Sequence, residues 1–241
     1  MSFCQFEKLV KTLNDAIETV EKGNLTLLFI NAETGKPVGE ASVEIKEIGE
    51  FTTNLAGWIA IDPQDDATYT LKFTKKGFIE ADYAFEVVAK AIPDNKIIVS
   101  PEIKSDALRF VLVWGKEPQD LDAHFIKKNN FHLSSKNGLV SSDKIARIDR
   151  SDNTSYGPET ITVTNIDNQS SYTYYVKNYS GKDSPKSMAL SKAGAMVQIY
   201  KNNQLLKTYT VPLEQRGTIW TVFAIENGEI IDKNEVGNNT D

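Results

Sequence analysis

The chain has 241 residues, which is enough for two domains with separate hydrophobic cores. Its formal net charge of −6 excludes the basic footprint of a nucleic-acid-binding protein and gives no attraction to an anionic membrane surface. No stretch reaches the about 20 apolar residues of a transmembrane helix, and the first residues do not resemble a signal peptide. We therefore expect a cytoplasmic protein. The single cysteine, Cys4, excludes internal disulfides.

Residues 1–23 are predicted to form an amphipathic helix. Ser2 and Gln5 give the S-x-x-Q pattern of a capping box, and Gly23 suits a helix C-terminus. Apolar residues recur at alternating spacings of three and four, which is the seam of a heptad repeat. Such a stripe packs either on the chain's own domains or on a partner, and we favour a protein partner. The predicted partner-binding residues are Phe3, Phe6, Val10, Leu13, Ile17 and Val20.

Residues 24–101 contain short strand-like runs separated by turn residues. Strands this short and this closely spaced favour an antiparallel β-sandwich without crossover helices. Pro93 and Pro101 mark the approach to the next domain. The predicted strands are LTLLFI, ASVEIKEI, GWIAI, TYTLKFT, DYAFEVV and KIIV.

The turns of this segment follow a characteristic order. Residues 31–38 read NAETGKPV, residues 41–43 read ASV, residues 53–58 read TNLAGW and residues 76–78 read KGF. This order resembles the carboxypeptidase regulatory-like domain, a transthyretin-type or immunoglobulin-like β-sandwich. The resemblance implies an accessory domain without catalytic residues, with a scaffolding or adhesive role.

Residues 104–232 are predicted to form a second antiparallel sandwich, jelly-roll-like or immunoglobulin-like, followed by a polar tail at 233–241. Asn227-Gly228, directly after the run IWTVFAIE, is a good hairpin turn. The predicted strands are ALRFVLVW, ETITVTNI, SYTYYVKNY, AMVQIY, QLLKTYTV and IWTVFAIE. In the third of these runs, alternation places Tyr172, Tyr174 and Val176 on one face and Tyr175 on the other.

Several blocks of this segment resemble a second family. Val113-Trp114-Gly115 is followed by DLDAHF at 120–125, by YGPETI at 156–161 and by YYVKNYSG at 174–181. Their order and spacing resemble the YfaP-like group of bacterial domains. That group has no settled activity, so the resemblance implies an architecture rather than a reaction.

The main polar cluster of the sequence lies in the same segment. Residues 120, 122 and 124 of one strand point to one face, and further acidic residues follow in a loop after Ile148. Several carboxylates suit a hard cation such as Ca²⁺, and His124 would add a ligand for a transition metal. The candidate metal-binding residues are Asp120, Asp122, Asp149, Asp152 and Glu159.

A structural role is the alternative for this cluster, and the sequence favours it. Asp120 and Asp122 would then organise a turn, and Glu159 would pair with Arg147 or Arg150. The dense pattern of a metal-binding loop is missing, so the sequence alone predicts no cofactor, with Ca²⁺ as the candidate if one binds. Arg150 also replaces an acidic residue of the YfaP-like pattern, and its charge would substitute for a cation.

No catalytic motif stands out in the sequence. There is no G-x-S-x-G elbow, H-E-x-x-H or phosphate-binding glycine loop, and only His124 and His132 could serve Cys4 as a base. We therefore expect a non-enzymatic structural or interaction protein that docks to protein partners, for example in a cytoskeletal or ciliary assembly. The alternatives are a cation-dependent carbohydrate- or protein-binding domain and a metal-dependent hydrolase.

Overall fold

The computed structural model describes residues 24–239. The predicted N-terminal helix at 1–23 lies outside this range. Every regular element from 24 to 239 is a β-strand, so the prediction of an all-β fold is confirmed. Within that range there is no helix of the length and apolarity that crossing a membrane requires.

The first compact unit comprises residues 24–31 and 35–102 of the described chain. One sheet has the strand order β4-β1-β7 and the other has the order β3-β2-β5-β6. The pairing of β1 with β7 is parallel, and all other pairings in this unit are antiparallel. The strands are β1 (Leu25–Asn31), β2 (Ser42–Ile45), β3 (Gly49–Thr52), β4 (Trp58–Ile61), β5 (Ala67–Thr74), β6 (Ala81–Val87) and β7 (Lys96–Val99).

Alternating apolar residues build the core of this unit. Along β6, every second residue is buried and the others are exposed. Phe29 of β1 stacks on Phe73 of β5 with ring centroids 5.6 Å apart, so the two sheets pack face to face. The predicted strand at 41–48 is wrong in extent, because β2 ends at Ile45 and Glu47 turns the chain with a φ of 68° into β3.

The second compact unit comprises residues 32–34 and the chain from 103 onward. Two five-stranded antiparallel sheets have the orders β10-β9-β13-β16-β17 and β11-β12-β8-β14-β15. The strands are β8 (Leu108–Val113), β9 (Leu121–Lys127), β10 (Phe131–Leu133), β11 (Ala146–Arg150), β12 (Glu159–Val163), β13 (Tyr172–Asn178), β14 (Met196–Lys201), β15 (Gln204–Thr210), β16 (Ile219–Glu226) and β17 (Glu229–Gly237).

Aromatic side chains from both sheets fill the core of the second unit. Phe110 of β8 lies between Phe125, Tyr174 and Phe223 of the opposite sheet, with ring centroids 5.1–5.4 Å apart. Tyr174 belongs to the face of β13 that was predicted to carry Tyr172, Tyr174 and Val176, and that face is buried in this core. Two sheets with one shared core form a β-sandwich.

Three features of the second unit differ from the sequence-based expectation. β9 was expected only as the strand that carries residues 120, 122 and 124, and β10 falls outside the predicted runs. The expected acidic loop after Ile148 begins later, because Asp149 and Arg150 still belong to β11 and only Asp152 lies in the loop. Residues 233–237, which were expected in a polar tail, belong to β17 and pair with β16. β17 is an edge strand whose side chains are mostly exposed, so its polar composition does not prevent strand formation.

Candidate functional site

Glu159, the first residue of β12, connects the two sheets of the second unit. Its Oε2 accepts a hydrogen bond from the backbone N–H of Ala123 on β9, at 2.7 Å. Its Oε1 accepts hydrogen bonds from the Ser151 hydroxyl at 2.7 Å and from the backbone N–H of Asp152 at 3.1 Å. The carboxyl group therefore satisfies two backbone donors that would otherwise be unpaired at this end of the sandwich.

Burial governs the charge of Glu159. The residue is only 2% exposed. Burial raises the pKa of its carboxyl group to about 8, and the charge of Asp122 adds to that rise against the opposing effect of the hydrogen bonds. The carboxyl group consequently keeps its proton at neutral pH.

Asp122 lies on β9 and is buried on the face opposite the hydrophobic core. Its flanking residues Leu121 and Ala123 point into that core, while Asp122 points away and is still only 3% exposed. Its Oδ1 accepts a hydrogen bond from the Ser135 hydroxyl at 2.6 Å. Its Oδ2 is buried and has no hydrogen-bond partner among the described residues.

Asp120 precedes β9 and lies within electrostatic reach of two other acidic residues. Its carbonyl oxygen accepts backbone hydrogen bonds from Tyr179 at 3.0 Å and Ser180 at 3.3 Å, which fixes the loop after β13 beside it. Burial raises the pKa of the Asp120 carboxyl group, the charges of Asp122 and Asp152 raise it further, and the positive charge of Lys136 opposes this rise. Its Oδ1 is buried and, within the described part of the chain, unpartnered.

The side chain of Asp152 is engaged by two neighbouring residues, Arg150 and Thr154. Its Oδ2 accepts a hydrogen bond from Arg150 Nη2 at 2.5 Å, and its Oδ1 accepts two from Thr154, at 2.8 and 2.7 Å. Arg150 therefore pairs with Asp152, and the expected pairing of Glu159 with Arg147 or Arg150 is wrong. We call the group Asp120, Asp122, Asp152 and Glu159 the acidic end of the second unit.

The structure does not bring Asp149 into the acidic end. Asp149 lies on β11, where its Oδ2 accepts a hydrogen bond from the Thr162 hydroxyl at 2.5 Å and its Oδ1 pairs with Arg147. Thr162 also accepts a hydrogen bond from the buried Arg109 at 3.1 Å. Asp149 thus belongs to a separate network on the sheet that contains β11 and β12.

Buried polar atoms without partners are concentrated around the acidic end. An unpaired buried donor or acceptor costs about 1–3 kcal/mol, so a group of them indicates a bound ligand or ordered water. Three of these atoms lie on β9 or directly before it, and two lie on the neighbouring strand β13. Within residues 24–239 they are Trp114 Nε1, Asp120 Oδ1, Asp122 Oδ2, His124 Nε2, Arg150 Nε, Tyr174 Oη and Asn178 Nδ2.

A histidine pair, His124 of β9 and His132 of β10, lies next to the acidic end. His124 Nδ1 is 2.8 Å from His132 Nε2, which is also 3.1 Å from the Tyr175 hydroxyl. The His124 ring stacks on Tyr175 with ring centroids 4.4 Å apart. Burial lowers the pKa of His124 to about 3, so its imidazole is neutral at physiological pH.

The unpartnered carboxylate oxygens of Asp120 and Asp122 are the atoms of the acidic end that could contact a positively charged ligand. Across residues 24–239, no group of three or more His, Cys, Asp and Glu side chains is arranged to hold a metal ion. A metal there would therefore need backbone, hydroxyl or water oxygens in addition to two carboxylates. A scan against protein-family models finds no match for this chain, and a search of the curated proteins finds none either.

Proposed function

We propose that the chain is a non-enzymatic interaction protein whose second unit holds a positively charged ligand at its acidic end. One observation carries the proposal: Asp122 is buried, and its Oδ2 has no hydrogen-bond partner among the residues described. A buried carboxylate oxygen without a partner destabilises the ligand-free fold. A cationic ligand would reverse that effect and would thereby be bound.

The surroundings of Asp122 strengthen this argument. Asp120 has a raised pKa partly because of the charge of Asp122, so the two side chains repel each other when both are ionised. Glu159 has a raised pKa partly for the same reason. Repulsion of this kind stabilises neither the strand nor the loop, whereas a cation placed between the carboxylates would turn it into attraction.

Two further considerations support a binding role without catalysis. The resemblance to carboxypeptidase regulatory-like and YfaP-like domains implies accessory transthyretin-type and jelly-roll-like modules. The two histidines contact each other and Tyr175, and burial raises the pKa of that tyrosine to about 12, which disfavours its phenolate as a nucleophile. The N-terminal apolar stripe would supply the contact to a protein partner, in a cytoplasmic assembly such as a cytoskeletal one.

The experiment that tests the proposal compares melting temperatures in EDTA. In the Asp122→Asn variant, a side chain of the same shape loses its charge and the repulsion by Asp120 disappears. We expect this variant to melt at the wild-type temperature or above it, because a residue that serves binding is not optimised for folding. The matched control is Asp149→Asn, which breaks the pairing with Arg147 and Thr162 and should melt lower. If Asp122→Asn melts several degrees lower, Asp122 is structural and the proposal fails.

A further inference from the structure

We infer that the ligand at the acidic end is a hard divalent cation of the Ca²⁺ type, with Asp120 and Asp122 as its charged ligands. The inference rests on the proposed function, since it identifies the ligand of the same site. It uses the two carboxylate oxygens that are buried without a partner in the described chain, Oδ1 of Asp120 and Oδ2 of Asp122.

Asp120 and Asp122 lie close together at the start of β9. Asp120 directly precedes the strand, Asp122 is its second residue, and the charge of Asp122 acts on the Asp120 carboxyl group. The intervening Leu121 points into the hydrophobic core, and Asp122 points away from it. The inferred cation lies beside the start of β9, between these two carboxylates.

The other acidic residues are already committed to protein contacts. Both oxygens of Asp152 accept hydrogen bonds, one of them from the positively charged Arg150. Both oxygens of Glu159 accept hydrogen bonds from Ala123 and from the loop at 151–152. Two carboxylates remain, and their combined charge matches that of one divalent ion.

Ser135 gives Asp122 the support that metal ligands commonly have. Its hydroxyl donates to Oδ1 at 2.6 Å, which orients the carboxylate and leaves Oδ2 for another contact. A hydrogen bond from a neighbouring side chain to the second oxygen of a carboxylate ligand is a typical feature of metal sites. The hydrogen bond therefore holds Oδ2 in place before any ion arrives.

The donor types favour a hard cation over zinc. The unpartnered atoms of Asp120 and Asp122 are carboxylate oxygens, and His124 adds a buried Nε2 without a partner among the described residues. Across residues 24–239, however, no group of three or more His, Cys, Asp and Glu side chains is arranged to hold a metal ion. Zn²⁺ requires a compact set of about four protein ligands rich in histidine and cysteine. Ca²⁺ takes six to eight oxygens and completes its shell with backbone carbonyls and water, so it does not require a third acidic side chain.

The test uses the full-length protein, stripped with EDTA and then desalted. Calorimetric titration with CaCl₂ should show saturable binding of one ion per chain, and saturating CaCl₂ should raise the melting temperature by several degrees. Asp120→Asn and Asp122→Asn should each lose both effects, and Asp149→Asn should keep them. Circular dichroism in EDTA establishes that each variant is folded before its binding is compared.

Each alternative result has a defined meaning. If neither Ca²⁺ nor Mg²⁺ binds the wild type while Asp122→Asn is fully stable in EDTA, the cation inference fails and the proposed function stands. If Asp122→Asn is strongly destabilised in EDTA, the proposed function fails as well. Binding of Zn²⁺ alone, or Ca²⁺ binding that survives in both variants, would overturn the assignment to a hard cation at these carboxylates.

Discussion

The side chain of Glu159 and the backbone N–H of Ala123 form a 2.7 Å hydrogen bond that joins β12 of one sheet to β9 of the other. β9 pairs with β10 only from Phe125 onward, so the N–H of Ala123 has no partner in a neighbouring strand on that side. Glu159 supplies the missing acceptor. The hydrogen bond closes one end of the sandwich and places the acidic end beside it.

Removing the Glu159 side chain should therefore destabilise the second unit. In Glu159→Ala, the backbone N–H groups of Ala123 and Asp152 lose their acceptor, and we expect the free energy of unfolding to fall by about 2–4 kcal/mol. Glu159→Gln retains one acceptor oxygen and should cost about half as much. Denaturant titration measures both values. Equal losses in the two variants would show that the hydrogen bonds of Glu159 do not stabilise the fold.

The burial of Glu159 also makes stability depend on pH. Its pKa is raised from 4.5 to about 8 in the folded chain, so between these values the folded state binds more protons than the unfolded state. The stabilisation is complete below about pH 4.5 and is lost as the pH rises toward 8, with a slope of about 1.4 kcal/mol per pH unit for one proton.

The control for this pH dependence is Glu159→Gln, whose side chain does not titrate. Subtracting its unfolding free energy from that of the wild type in EDTA removes the contributions of all other groups. The difference should decrease steadily from pH 5 to pH 8. A difference that stays constant over this range would mean that Glu159 is ionised in the folded protein.

The contribution of His124 to folding stability should change with pH in the opposite direction to that of Glu159, and over a lower pH range. Burial depresses its pKa from 6.5 to about 3, so below neutrality the unfolded state binds the extra proton. Its contribution to stability is present above about pH 6.5 and is lost as the pH falls toward 3. His124→Phe keeps a ring to stack on Tyr175 and cannot titrate. Melting temperatures from pH 7 to pH 4 should fall less steeply for this variant than for the wild type, and parallel curves would contradict the prediction.

The strands that the sequence identifies are those with an alternating or a continuous apolar run. The run DYAFEVV overlaps β6, which alternates regularly between buried and exposed residues, and ALRFVLVW contains β8, which is buried on both faces. β9 was expected only as the strand that carries residues 120, 122 and 124, because Asp122 and His124 interrupt its apolar residues although its first five residues are buried. β10 has only three residues, which is too few for any periodic pattern.

The polar contacts of the candidate site could be predicted from the sequence only in part. The placement of Asp122 and His124 on one face of β9 follows from strand geometry and can be predicted from spacing alone, whereas Asp120 lies just before the strand. The partners of Glu159 and Asp149 depend on which strands meet across the sandwich, and no local pattern specifies that. The sequence therefore suggested an ion pair of Glu159 with the nearby Arg147 or Arg150. In the structure, Arg147 pairs with Asp149 and Arg150 pairs with Asp152.

The N-terminal apolar stripe leads to the last prediction. Burying an apolar side chain such as that of Leu13 contributes about 1.5–3 kcal/mol, so a stripe of six should pack against another surface. If that surface belongs to a partner, Leu13→Asp should abolish capture of the partner from native lysate and leave the melting temperature of the purified chain unchanged. Lys11→Asp, a charge change outside the stripe, is the matched control and should retain capture. Intact capture by Leu13→Asp together with a melting temperature several degrees lower would show that the stripe packs on the chain's own domains.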